Sequence, residues 1–549
     1  MNKPWLKHYD ISVPPSLTYP ETTVHAFLQQ AAKKFPERAC TIYNDTTYSY
    51  AVMDKMSDVF AMALQETGVE KGDRVAVILP NIPQFLLAYY GILKAGGIVV
   101  AMNPLYKVDE IQYHLDVSGA KMVIALDEYR EVLEKVQQKI PGLRFIFTAM
   151  TESNTLHGGS SDAIKEGLWL TALLQQYEGK PCVEVDVSPD DPAIFQFSGG
   201  TTGTPKAAVG LHRNLVANIL QFSNWLVGLE EGKEVLLAAI PLYHVYGMVI
   251  GMGMAVGLGA SMVLIDQATD ISGILHGIDR YQATLFPGVP NLYRAINQHP
   301  DVLAGKYRLG SIKACISGSA PLLPETKTAF ESLTGGKLLE GYGLSEAPTA
   351  THCNPMLGEN RVGSIGLPIS DVVCRIVDLE TGKVDMLPGE TGELIISGPQ
   401  IMPGYHNKPE ETRIALREGW LFTGDIAKMD EDGYFYLVGR KKDLIKIGGF
   451  QVWPREVEEV LIQHPAVKDV CVAGVPDAEQ VETVKAWVIL QPDAMVSSDV
   501  LRAWCKERIA AYKCPTLVVF RESFPRTAVG KLLRRELIRE HIEGEKSSG

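Results

Sequence analysis

Residues Arg74–Leu79 (RVAVIL), Asn81–Lys94 (NIPQFLLAYYGILK) and Ile98–Met102 (IVVAM) decide how this chain folds. The first and last are short apolar runs rich in Val and Ile, as strands buried on both faces are. The middle stretch reads as the helix between them. Working outward, Lys121–Leu126 and Arg144–Thr148 repeat the strand signal, and Val108–Ser118 repeats the helical one. That alternation predicts a parallel sheet with helices on both faces. The rhythm returns at Glu234–Ile240, Ser261–Ile265, Ala283–Phe286 and Ser311–Ser317, which predicts a second set of α/β layers.

From Gly363 to about Val438 the texture changes. Strand-like Val372–Val377, Gly392–Ser397 and Phe435–Val438 are separated by turn signals such as Leu387-Pro388-Gly389 and Asp432-Gly433. After the charged run Arg440–Asp443, a compact α+β pattern follows. In it Pro454–His464 and Ser498–Ala511 are helical, and Val470–Val475 and Val484–Leu490 are strands. The expected fold class is α/β. A large N-terminal domain of stacked α/β layers (1–439) contains a small β-barrel-like subdomain at about 363–438. A hinge at 440–443 leads to a small, mobile α+β C-terminal domain (444–549).

At 549 residues the chain exceeds what one hydrophobic core organises. Its 46% hydrophobic and 21% charged residues are those of an ordinary folded protein, and a net charge of −13 argues against nucleic acid as a partner. Eight cysteines stand apart without a C-x-x-C pair or a Cys/His cluster, so reduced, buried thiols are expected rather than disulfides or zinc. Met1–Asp10 has no apolar core of a secretory signal, and a cytoplasmic protein is expected. Val245–Ile265 carries no charge, yet its glycines and modest density of large apolar side chains favour a buried helix running into a buried strand over a membrane span.

The chemistry begins at Ser198-Gly199-Gly200-Thr201-Thr202-Gly203-Thr204-Pro205-Lys206, directly after the apolar strand Ala193–Phe197. Glycines let backbone N–H groups approach phosphate oxygens, hydroxyls add donors, and Lys206 adds positive charge. Pro205 stands where a Walker A loop needs glycine, and the G-x-G-x-x-G of dinucleotide folds is missing. Further along stand Pro241-Leu242-Tyr243-His244, Gly318-Ser319-Ala320-Pro321-Leu322 and Glu340-Gly341-Tyr342-Gly343-Leu344-Ser345-Glu346. They are followed by Thr423-Gly424-Asp425, Gly439-Arg440-Lys441-Lys442-Asp443, Gly448-Gly449-Phe450 and Pro525-Arg526 to Gly530-Lys531.

With these motifs in this order, the chain from about Thr22 to Glu540 resembles the adenylate-forming superfamily of acyl-CoA synthetases, peptide-synthetase adenylation domains and firefly luciferase. Within it the chain looks most like bacterial long-chain fatty-acid-CoA ligases. The resemblance implies ATP, Mg²⁺ and coenzyme A as cofactors and co-substrates. Acid and ATP would give an acyl-adenylate, which then passes to the CoA thiol. The loop from Ser198 to Thr204 and Lys206 would cradle phosphates, and Glu346 with Thr201 would hold Mg²⁺. Ala320 to Leu322, Glu340 and Gly341 would frame the adenine, and Tyr342 and Ser345 would also meet the nucleotide, with Ser345 standing where the family usually has Thr. Asp425 and Arg440 would meet the ribose.

Lys531, Lys446 and His244 are the implied catalytic residues. Lys531 would serve adenylation, and Lys446 the second conformation. Lys442 is the implied pivot, Gly448 and Gly449 the passage for pantetheine, and Tyr246, Gly247 and Gly318 the acyl pocket. Amino-acid-activating relatives carry an Asp just downstream of Pro241–His244. None stands here, so a carboxylic acid without an ammonium group is expected, a fatty acid first and an aryl acid as the alternative. A luciferase-like oxidase and a serine hydrolase, suggested by Gly343-Leu344-Ser345-Glu346-Ala347, are remoter readings. Peripheral membrane contact and a homodimer stay open.

Overall fold

The computed structural model describes residues 3–150, 168–180, 184–198, 205–447, 450–477, 481–527 and 532–546. The chain gathers into two compact units, Met1–Val373 with Ser397–Leu421, and Cys374–Ile396 with Phe422–Gly549. The division falls within the stretch read as the β subdomain and groups most of its strands, early and late, with the residues that follow 439.

The first unit holds two sheets. In the seven-stranded one the order is Leu168–Trp169, Arg144–Thr148, Met122–Leu126, Arg74–Ile78, Ile98–Ala101, Pro192–Ser198, Lys206–Leu211. All neighbours are parallel up to Pro192–Ser198, which pairs antiparallel with Lys206–Leu211. In the nine-stranded sheet the order is Leu367–Pro368, Ala350–Cys353, Lys337–Gly343, Ala314–Ser317, Leu285–Gly288, Val235–Ala238, Ser261–Leu264, Ala39–Tyr43, Thr46–Ser49. It is parallel from Lys337–Gly343 through Ala39–Tyr43 and antiparallel at both edges. The sheets interleave in sequence, because Ala39–Tyr43 precedes every strand of the first sheet yet pairs within the second.

The helix Pro83–Lys94 explains why its sequence is apolar all round. It packs on Arg74–Ile78 and Ile98–Ala101 of one sheet and on Ala39–Tyr43 of the other, and all its residues are buried. Lys94 at its end is held by Asp54 and Asp58, each at 2.6 Å. Just before it, Asn81 spans from one sheet's loop to the other's. Its amide donates to the Ala238 and Ile240 carbonyls and accepts from Leu242 N–H at 2.8 Å. The uncharged stretch after Val245 forms a π-helical segment, Tyr246–Gly253, then a short α-helix, Met254–Gly257, and the buried strand Ser261–Leu264. Among the described residues no helix is long and apolar enough to cross a membrane. The described cysteines are free and buried; Cys182 lies outside the described residues.

In the second unit Val373–Val377, Thr391–Ser397, Trp420–Met429 and Phe435–Arg440 lie side by side in that order. A further sheet runs Phe450–Val452, Ile445–Ile447, Val481–Leu490, Val467–Asp477, with Leu517–Phe520 parallel to Val481–Leu490. Helices Pro454–Leu461, Ser498–Lys506 and Arg534–Lys546 complete the α+β unit. Its core is built by Ile445, Val457, Leu461, Val472, Val484 and Leu501.

Candidate active site

Leu285–Gly288, Ala314–Ser317 and Lys337–Gly343 are adjacent, parallel and in register, with Gly288 opposite Ser317 and Ser317 opposite Glu340. They therefore end along one edge. In open parallel sheets that edge, at the carboxyl ends of the strands, is where ligands bind. Gly318 and Ala320 follow the second strand, Ser345 and Glu346 follow the third, and Glu340, Gly341 and Tyr342 close the third. The register thus sets residues far apart in sequence along one edge.

Glu340 is buried, and its carboxylate accepts from Gly363 N–H at 2.8 Å and Leu322 N–H at 3.4 Å. The side chain expected as a pocket wall therefore also braces the Ala320–Leu322 segment. Between Gly318 and Ala320, Ser319 adopts φ 69°, a left-handed conformation that costs a non-glycine residue energy and tends to occur at working sites. Tyr342 rests edge-on against His352, ring centroids 5.8 Å apart.

His244 follows the Pro241–Leu242 turn that Asn81 fixes. Its Nδ1 accepts Tyr246 N–H at 3.2 Å, so the neutral ring carries its proton on Nε2. Tyr246 is buried and donates to the Ile316 carbonyl at 2.8 Å, which seats the ring beside Gly318. A Cβ at Gly318 would touch that ring at an ordinary 3.4 Å, whereas one at Gly247 would stand 2.3 Å from the Pro241 carbonyl oxygen. Gly247 is therefore required by backbone packing, whatever it does for a substrate.

The phosphate-type loop hangs from a hairpin whose stem is described. Ser198 pairs with Lys206 across antiparallel strands. Gly199, Gly200, Thr201, Thr202, Gly203 and Thr204 lie outside the described residues. The loop's far end is tied by Tyr113, whose hydroxyl donates to the Pro205 carbonyl at 2.8 Å. Lys206 is buried, with Nζ 5.3 Å from the centroid of the Tyr405 ring. Tyr405 in turn donates its phenol hydrogen to Glu346 Oε1 at 2.8 Å. Burial, then the Glu346 charge, raises the phenol's pKa, with the nearby Ser198 hydroxyl opposing weakly. Ser198, Lys206, Glu346 and Tyr405 thus form one cluster. Tyr405 is the member that sequence reading missed; nothing in the spacing of Pro403-Gly404-Tyr405 ties it to a carboxylate in another motif.

In the second unit Asp425 and Arg440 face each other across Trp420–Met429 and Phe435–Arg440. The next residue, Lys441, reaches Glu393 at 2.7 Å, and Glu393 also accepts Gly424 N–H at 3.2 Å. Lys442 lies in the 3₁₀ turn Lys441–Asp443. Its ammonium pKa is lowered, first by desolvation and then by Arg440 and Arg535, with Asp443 and Asp425 opposing. Lys446 is exposed on Ile445–Ile447, its backbone N–H bound to Glu482 at 2.8 Å. Gly448, Gly449 and Lys531 lie outside the described residues.

The AMP-binding enzyme family model matches residues 28–406, and that of the AMP-binding enzyme C-terminal domain matches 456–531. The long-chain-fatty-acid–CoA ligase of Bacillus subtilis (strain 168) is 40% identical, covering 98% of both chains. That of Escherichia coli O157:H7 is 35% identical with the same coverage. Among solved structures, ATP-bound MatB from Rhodopseudomonas palustris superposes with TM-score 0.84 at 28% identity, over 95% of this chain and 99% of that one. A benzoate CoA ligase from Burkholderia xenovorans LB400 gives 0.82 at 25%, over 94% and 99%. With both family models matched in order along most of its length, the chain belongs to the AMP-binding enzymes.

Proposed function

We propose that this chain is an AMP-forming acid–thiol ligase whose acid is a fatty acid. The observation that carries the reading is the 40% identity with a long-chain-fatty-acid–CoA ligase over 98% of both chains. The acid's carboxylate attacks the α-phosphorus of ATP and displaces pyrophosphate. The CoA thiol then attacks the acyl carbon, loses its proton, and displaces AMP.

In the first step two anions must meet. Lys206 at the loop's root and Lys531 supply the positive charge that makes this tolerable. Among the described residues no cluster of three or more His, Cys, Asp or Glu could hold a metal by itself. A single half-buried carboxylate, Glu346, fits Mg²⁺, which is usually bound through one or two carboxylates and the substrate's own phosphates. When bound it would neutralise charge on the triphosphate. Thr201 would stand beside Glu346 in this. Asp425 would accept from ribose hydroxyls, with Arg440 orienting the carboxylate. Ala320, Glu340, Gly341, Tyr342 and Ser345 would border the adenine. His244, Tyr246, Gly247 and Gly318 would stand along the acyl group. Rotation at Lys442 would bring Lys446 in for thioester formation, with Gly448 and Gly449 lining the way for pantetheine.

An aryl acid is the second reading, favoured by the benzoate CoA ligase among the structural neighbours. Pyrophosphate release with acetate, hexanoate, decanoate, palmitate, benzoate and coumarate separates the two. The fatty-acid reading expects kcat/KM to rise up to about fivefold per two carbons, since a buried CH₂ contributes roughly 0.8 kcal/mol at most. A preference for benzoate or coumarate over decanoate and palmitate would overturn it.

A further inference from the structure

Tyr405 touches two charged groups that the reading above sends to the same triphosphate. Its hydroxyl donates to Glu346 Oε1 at 2.8 Å, and the face of its ring carries the Lys206 ammonium 5.3 Å from the centroid. Tyr405 is itself firmly held. Gly404 O accepts Val209 N–H at 3.0 Å, and His406 N–H donates to Ala207 O at 2.8 Å. Tyr405 therefore lies opposite Ala208, as an added strand on the edge of Lys206–Leu211. Tyr405 N–H donates to Thr412 Oγ1 at 2.9 Å. Glu346 is tied to the same segment through its backbone, its carbonyl accepting Met402 N–H at 3.0 Å.

We propose that Tyr405 is a positioning residue for the metal–nucleotide site, acting through Glu346. A carboxylate on a flexible side chain must lose rotamer freedom before it can ligate a cation. The phenol removes that freedom in advance by holding the carboxylate through Oε1. A phenol has one hydrogen to give. The ring serves the second charge, because a cation over an aromatic face is attracted without being neutralised. The ammonium is thereby held at the root of the loop while it remains able to leave for phosphate.

The inference rests on the fatty-acid ligase reading only for the identity of the nucleotide site, and its test does not require turnover. Mn²⁺ is titrated in the presence of α,β-methylene-ATP and followed by electron paramagnetic resonance, for wild type, Tyr405→Phe, Glu346→Gln and the double variant. Phenylalanine keeps the ring over Lys206 and deletes only the oxygen. Tyr405→Phe is expected to weaken metal binding about tenfold, the size of one hydrogen bond to a charged group. The double variant is expected to be no weaker than Glu346→Gln alone, because the phenol acts through that carboxylate. In turnover, Tyr405→Phe should raise the KM for Mg²⁺·ATP more than it lowers kcat. Wild-type metal affinity in Tyr405→Phe, or fully additive losses in the double variant, would overturn the proposal. A failure of the function reading shows separately, as wild type releasing no pyrophosphate with any acid.

Discussion

Arg440 Nε lies 2.9 Å from Asp425 Oδ1, and the two residues occupy directly opposed positions of one antiparallel strand pair. The strand register itself thus aims a buried carboxylate and presents an arginine that is more than a third exposed. Asp425→Asn keeps the shape and removes the charge. It is expected to fold and to raise the KM for ATP at least about tenfold, as an acceptor of two hydroxyls becomes a poorer one (~1.4 kcal/mol). Steady-state kinetics beside a melting curve checks this. An unchanged KM would remove Asp425 from the ribose.

Gly247 makes a separate prediction about packing. A methyl there meets the Pro241 carbonyl, which is backbone and cannot swing aside. Gly247→Ala should cost about 1–3 kcal/mol of stability, the range for overpacking a core, and should lower activity toward every acid alike. A stable variant with altered chain-length preference would make Gly247 a pocket residue first.

Acid should weaken this protein well before its carboxylates titrate. Burial lowers His25 to about 4 and His212 and His352 to about 3. All three titrate near 6.5 when unfolded, so on acidification the unfolded chain takes up these protons first. Their contribution to stability is complete above about pH 6.5 and is lost as pH falls toward 4. Each unit costs up to roughly 1.4 kcal/mol per histidine. Tm should fall steeply between pH 6.5 and 4.5, and replacing His352 with Gln should flatten the slope. A Tm independent of pH over that range would mean these rings accept protons in place.

The Lys441–Asp443 turn carries the hinge prediction. Lys442→Pro should keep pyrophosphate exchange within about tenfold of wild type and lose most thioester formation, since proline would fix φ at the proposed pivot. Lys531→Ala should slow adenylation by about two to four orders of magnitude and spare conversion of supplied acyl-adenylate, with Lys446→Ala the reverse. Normal acyl-CoA production by Lys442→Pro would place the motion elsewhere.

Periodicity made the parallel core legible. The strands of the first sheet at Arg74, Ile98, Met122 and Arg144 lie where runs of Val, Ile and Leu stand, with ends shifted by a residue or so. One strand of the second sheet was less legible. Lys337–Gly343 ends in Glu, Gly, Tyr and Gly, residues whose place in a strand is set by pairing rather than by preference, Glu340 with Ser317 and the last three with Ala350–Cys353. The site divided the same way. Glu346 sits in a motif that stands out in one dimension, whereas Tyr405 reaches it from a segment placed by a strand-edge contact with Ala207–Val209, which sequence cannot announce.

The interleaving of the sheets has a consequence for synthesis. Thr41 pairs with Met262, so the strand Ala39–Tyr43 leaves the ribosome long before its parallel neighbour Ser261–Leu264 exists. At roughly 5–20 residues per second, some 220 residues of waiting last about ten to forty seconds. Through that interval the nascent chain offers an unpaired apolar ribbon edge, with the Pro83–Lys94 helix covered on one side only. Arrested chains ending before Ser261 are therefore expected to be cut readily by protease between Ala39 and Lys94 and to bind holdase chaperones. Chains extended past Leu264 should begin to resist both.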